Sequence, residues 1–261
     1  MIQPRTPRRE QLGEFLAARR RTTSRSALGL PPTGRRSDTG LSREEIATLS
    51  GVSGSWYTWL EQGRDINVSR QVLGAVARVL GLSAAETEYV YALAERDEGA
   101  APAERESVPP HLQHLVDALD FPAFVVATDW AIAGWNARYA WLYPRIETLD
   151  AADRNLLWLV YTDPELRDML PDWERDSRAF LAEFRAESGV RLTSPRHRVL
   201  LERLREASGD FRAQWAELAV ERFASRRREF RHREDGIVTF EHHRLVPSDA
   251  ADLHVVMYVP V

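Results

Sequence analysis

Between Ser53 and Arg64 lie side chains whose types and spacing suit reading the edges of base pairs. Ser55 and Thr58 carry hydroxyls that donate or accept, and Trp59 offers a flat apolar ring that can meet a thymine methyl. Trp56 stands among them with two readings of equal weight, lining the same face or packing under the preceding loop. Ser53 opens the segment. Arg35, Arg36, Arg43 and Arg64 flank it, and guanidinium forks match phosphate oxygens. The combination points to duplex nucleic acid rather than to a reaction. The competing reading of Trp59 is packing on a neighbouring helix or a dimer partner, and of each arginine a plain surface charge.

These side chains need two crossed helices to position them. Ser42 with Glu45 three residues on is a capping box that opens a short helix carrying Ile46, Ala47 and Leu49. Gly51 suits the tight turn that follows. Ser53 then caps a second helix, in which Tyr57 and Leu60 share one face and pack on the first. Ser55, Thr58 and Trp59 point elsewhere. This is the helix-turn-helix pattern, whose second helix enters the major groove. Gly63 reads as a left-handed helix stop, and Glu61 as a holder of Arg64 or of an arginine from the loop. Further helices are expected over 8–22 and 69–80 and from the Ser83/Glu86 capping box. Residues 23–40, rich in Gly, Pro and Arg, read as an irregular basic loop.

Charge supports the same division. The net charge is −4, yet residues 1–96 hold 14 arginines against 10 acids, and the remainder 21 against 29. A basic end on an acidic chain is the footprint of a nucleic-acid-binding module joined to something else. All 35 basic residues are Arg, which fits a GC-rich genome. There is no cysteine, hence no disulfide, thiolate metal site or thiol nucleophile. No apolar run approaches the roughly 18–20 residues that span a bilayer. No apolar segment follows the Arg-rich start, so a cytoplasmic location is expected.

Residues 97–110 have linker composition, giving expected domains at 1–96 and 111–261. Beyond the linker, Ala123–Ala127 and Ala131–Trp135 read as a hairpin and Asn136 as a helix cap. Asp163-Pro164 starts another helix, Trp173–Glu187 a longer one, and 196–207 and 210–219 two more. Three strands are expected at Glu221–Arg233, Ile237–Val246 and Leu253–Val259. Phe124, Trp135, Trp141, Trp158, Phe180, Phe184 and Trp215 are enough to line an apolar cavity between sheet and helices. They also suit plain core. His232, His242, His243 and His254, with Glu241, fall on the last three strands. A divalent ion there is weighed against scattered surface histidines, and no metal is expected. No nucleophile elbow, zinc-protease helix, phosphate loop or dinucleotide turn is present, so no enzyme is expected.

The residues also resemble known families. Leu12-Gly13-Glu14-Phe15-Leu16, Gly40-Leu41-Ser42-Arg43-Glu44-Glu45, Gly51-Val52-Ser53 and Leu60-Glu61-Gln62-Gly63-Arg64 resemble the XRE or lambda-repressor-like helix-turn-helix domains, and more narrowly the MmyB-like transcription regulators. Pro122-Ala123, Trp135-Asn136, Asn155-Leu156-Leu157, Asp163-Pro164, Pro171-Asp172-Trp173 and Gly236 are similar to that family's ligand-binding domain. Two positions depart from the pattern: Trp158 where the family often has Arg, and Trp59 where it often has a basic residue. The resemblance implies an all-α, five-helix, lambda-repressor-like N-terminal domain and an α+β, PAS-like C-terminal domain with an antiparallel sheet. It implies no required cofactor, and an apolar effector that could be a fatty acid. The expected function is a sequence-specific, dimeric DNA-binding regulator, a repressor rather than an activator. The competing expectation is a C-terminal domain that recruits another protein and holds no ligand.

Overall fold

The computed structural model describes residues 6–32, 38–94, 107–189 and 194–261. These group into two compact units, residues 6–32 and 38–94 with Gly189, and residues 107–188 with 194–261.

The first unit is helical, as its periodicity requires. Helix α1 (Pro7–Thr22) buries Leu12, Phe15 and Leu16. Helices α2 (Arg43–Ser50) and α3 (Gly54–Glu61) form the helix-turn-helix, joined at Gly51 with φ of 69°. Helices α4 (Arg70–Val79) and α5 (Ala84–Ala94) complete the core with Leu73, Val76, Tyr89 and Leu93. The capping box forms as expected: the Glu45 amide donates to Ser42 Oγ at 3.1 Å and the Ser42 amide donates to Glu45 at 2.7 Å. Gly13 sets how closely α1 crosses α3, because a Cβ there would overlap the main-chain carbonyl of Glu61. The described part of the loop after α1 carries local structure that its composition does not suggest. It holds a 3-10 turn at Ser26–Leu28 and a bridge between Ser24 and Thr39. Arg25 inside it is 3 % exposed and donates to both carboxylate oxygens of Glu45.

The second unit is built on a five-stranded antiparallel sheet in the order β2-β1-β5-β4-β3. The strands are β1 (Ala123–Ala127), β2 (Ile132–Trp135), β3 (Arg226–His232), β4 (Gly236–Leu245) and β5 (Leu253–Pro260). β3 begins at Arg226, five residues later than expected, because its pairing with β4 starts only at Arg226 opposite His242. Helix α6 (Pro110–Asp117) covers one sheet face, packing Leu112 and Val116 on Ala123, Val125, Leu253 and Val255. The other, inner face carries Phe124, Phe230, Phe240, Val256 and Tyr258. Over it lie helices α7 (Ala137–Leu142), α8 (Leu156–Thr162), α9 (Pro164–Met169) and α10 (Trp173–Ser188). Helices α11 (Pro195–Ala207) and α12 (Gly209–Ala216) pack on one another and on α8 and α10. Coverage on both sides explains why β1 is buried at every residue. Among the described residues, no helix is long and apolar enough to cross a membrane.

The motifs quoted from the second unit are largely caps. Asn136 Oδ1 accepts from the Tyr139 and Ala123 amides, while its Nδ2 donates to the Val116 and Phe121 carbonyls. Asn155 caps α8 through the Trp158 amide, and Asp163 caps α9 through the Leu166 amide. Asn136 and Asn155 also tie their helix starts to the β1–β2 hairpin.

Candidate nucleic-acid interface and candidate ligand cavity

On α3, Tyr57 and Leu60 are buried at 0 % and 3 % exposure, so the opposite face is free. Ser55 and Thr58 lie on that face, and Trp59 is 42 % exposed. With Arg20, Ser42, Arg43, Glu44 and Gly54 they line an open depression of about 810 Å³. Trp56 is half-buried outside that lining. The Ser53 hydroxyl is occupied as the α3 cap, accepting from the Trp56 amide at 3.1 Å. Arg64 is exposed and sits 5.8 Å from the Trp59 ring centroid. Arg35 and Arg36 lie outside the described residues.

Glu61 organises the rim. Its side chain is 1 % exposed and accepts from Arg20 Nε at 2.5 Å and from Arg43 Nε at 2.7 Å. Burial alone would raise its pKa, but the bonds from Arg20 and Arg43 overcome this and hold it below the ordinary carboxylate range. The expected partner, Arg64 or a loop arginine, is therefore replaced by one arginine from α1 and one from the start of α2. Arg20 was missed in the sequence, although it follows Leu12 and Leu16 at intervals of four on the buried stripe of α1. An arginine on such a stripe needs a carboxylate across the packing contact.

The seven aromatic candidates of the second unit do not converge on one cavity. Phe124 is buried against Tyr139 and Tyr258 on the inner face. Phe180 lines two small cavities of about 10 Å³ each, an apolar one bounded by Tyr139, Phe230 and Tyr258, and another bounded by Val126, Trp130 and Val256 together with Glu183, His242 and Arg244. Phe184 is stacked on His197 and meets Trp130 edge-on. Trp215 stacks on Phe211 beneath Arg185. Trp135 lies beside Arg154, and Trp158 lies 4.1 Å from the Arg203 guanidinium. Trp141 stacks on His232 with centroids 4.2 Å apart, and both line a larger open cleft of about 630 Å³ with Tyr143, Arg145, Glu165 and Met169.

The histidines go to separate partners. His232 is held by Trp141 and Asp235, and His243 by Glu241 and Ser225. His254 approaches Glu187 at 3.9 Å, and His242 is buried beside Arg228. Among the described residues, no three His, Cys, Asp or Glu side chains group closely enough to hold a metal. The inner face holds a charged cluster that composition did not reveal: Arg226, Arg228, His242 and Arg244 on β3 and β4 face Glu183 and Glu187 of α10. The signal was the strand alternation Arg226, Arg228, Phe230, His232, which puts two arginines on the same face as a buried ring.

Residues 108–261 match the MmyB-like transcription regulator ligand binding domain, and residues 11–90 match a helix-turn-helix domain. No curated protein matches the chain.

Proposed function

We propose that this chain, which belongs to the MmyB-like transcription regulators, reads a specific DNA operator through α3 and responds to an apolar effector held by its C-terminal domain. A helix-turn-helix domain followed by this ligand-binding domain makes it a transcription regulator. The observation that carries the DNA-reading half is the exposed side of α3, where Ser55, Thr58 and Trp59 sit beside Arg43 while Tyr57 and Leu60 anchor the helix. Arg43, Arg64 and the Arg35-Arg36 pair supply phosphate contacts. Ser55, Thr58 and Trp59, with Trp56 at their edge and Ser53 at the helix start, supply the base-facing surface.

A single recognition helix makes few base contacts, so the active species is a homodimer on two half-sites. An effector that prefers one dimer geometry changes the spacing of the two α3 helices, and so changes operator affinity. The regulator represses, since occupying a promoter needs no additional surface. Deleting its gene raises expression from the bound promoter; unchanged or lowered expression would contradict repression. No catalytic role is part of this reading.

The small size of the inner cavities, about 10 Å³ each, favours a second reading in which the C-terminal domain is solid core and recruits another protein. Denaturing extraction of the purified full-length chain followed by mass spectrometry separates the two. A stoichiometric apolar compound, for example a fatty acid, supports the effector reading. Empty protein that co-purifies with a stoichiometric protein partner supports recruitment.

A further inference from the structure

Helix α9 gives both of its acids to the open cleft of about 630 Å³ and its arginine to another partner. Glu165 and Asp168 stand three residues apart, so they share a helix face, and both line the cleft. Glu234, in the turn between β3 and β4, lines it too. Two carboxylates at that spacing repel each other, and Asp168 lies in the last turn of α9, where the helix dipole disfavours an anion.

The surrounding arginines are committed elsewhere. Arg145 bonds Asp163 at 2.5 Å, and Arg167 bonds Asp210 at 2.9 Å. Arg231 donates to the main-chain carbonyl of Asp168 at 2.6 Å, not to its carboxylate. His232 is matched by Asp235. Among the described residues, Glu165, Asp168 and Glu234 form no ion pair, and Arg233 alone is left in the lining to face three carboxylates.

The rest of the lining suits the body of a ligand. Trp141 is half-buried, Pro144 is exposed, and Leu142 and Met169 add buried apolar wall. An aromatic ring among carboxylates favours an organic cation, which the ring quadrupole attracts as well as the charge. The Tyr143 side chain, 1 % exposed, also lines the cleft. Its hydroxyl lies near the Asp163 carboxylate but makes no hydrogen bond of good geometry with any described residue. Burial holds that hydroxyl well above its ordinary pKa, so it stays neutral and its oxygen is open to an N–H donor. The cleft volume falls within the roughly 300–1,000 Å³ of small-molecule sites.

We propose that this cleft binds a small primary ammonium ion, its charge held by Glu165, Asp168 and Glu234 and its apolar body lying against Trp141. The site is a second one, distinct from the apolar-effector reading, and stands without it.

The test is an NMR titration of the full-length protein with phenethylamine and with phenethyl alcohol, which share a body and differ at the head. At neutral pH the first is a cation and the second is not. The Trp141 indole N–H signal, assigned by its loss in Trp141→Phe, reports on the cleft. Wild type binds the amine about tenfold or more tightly than the alcohol, the scale of a cation–π contact together with exposed ion pairs, and the Trp141 signal moves. Glu165→Gln/Asp168→Asn keeps the shapes of two exposed side chains and removes their charge. It binds the two compounds alike, at the alcohol level. Glu234→Gln, in a surface turn, loses part of the preference and decides the matter if the double variant does not fold. Equal affinity of wild type for the two compounds, a preference for the amine that survives in the variants, an unmoved Trp141 signal, or no binding of the amine each overturns the site and leaves the apolar-effector reading standing.

Discussion

Ser55 and Thr58 lie beside Trp59 in the depression along α3, and each hydroxyl can engage one base edge. Removing either by Ser55→Ala or Thr58→Ala is expected to shift sequence preference by about 1–3 kcal/mol at one position of the site, measured by competition between operator variants. Arg43 is a different kind of residue. Its side chain is 48 % exposed while tied to Glu61, which leaves part of the guanidinium to reach a phosphate. Arg43→Ala is expected to weaken specific and random DNA alike and to lower the slope of log affinity against log salt by about 1. An unchanged slope would leave Arg43 as a clamp on Glu61 only. At this scale the legible features were local ones: the Ser42–Glu45 capping box and the left-handed Gly51 are set by residues within a few positions of each other. Arg20 and Arg25 were not legible, because their partners Glu61 and Glu45 lie 41 and 20 residues away and meet them only after the helices pack.

At the scale of elements, α3 is aimed by its neighbours. Gly13 lets α1 lie directly on the α3 backbone, so Gly13→Ala is expected to cost about 1–3 kcal/mol through overpacking and to weaken DNA binding with no base contact touched. Thermal melting with operator titration checks both. The start of α2 is pinned by Glu45, whose pKa is brought from its ordinary 4.5 to about 2 by the Arg25 hydrogen bonds and then the Ser42 amide. A carboxylate depressed by folding stabilises fully above its unfolded pKa, and loses that contribution as the pH falls through its folded one. Wild type is therefore expected to melt above Glu45→Gln at neutral pH, with the gap closing between pH 4.5 and 2; a constant gap across that range would contradict the assignment. The sequence resolved most of the other helices and all five strands by periodicity and caps, but not α6 or α8. Pro109-Pro110 disguised the start of α6 as linker, although Pro is favoured at the first helical position. Leu156-Leu157-Trp158-Leu159-Val160 is apolar without a period, because α8 is buried on nearly every side. The aromatic candidates failed to mark one cavity for a related reason: side-chain type reports burial, and only topology decides which buried rings share a space.

For the whole molecule, the proposed regulation couples DNA reading by the helical unit to effector binding by the α+β unit through linkage, and needs both units in one dimer. Ligand binding and operator binding are then reciprocal, so an effector that lowers operator affinity must itself bind more weakly to the operator-bound protein by the same factor. Operator reading by α3 is tested by selection of duplexes from a random library with the full-length protein. An enriched motif of two related half-sites spaced by about one helical turn or a multiple of it is expected, with the motif lost or altered in the Ser55→Ala/Thr58→Ala/Trp59→Ala variant. Retention of duplexes with no enriched motif, or an identical motif in the triple variant, would contradict α3 as the element that reads the operator.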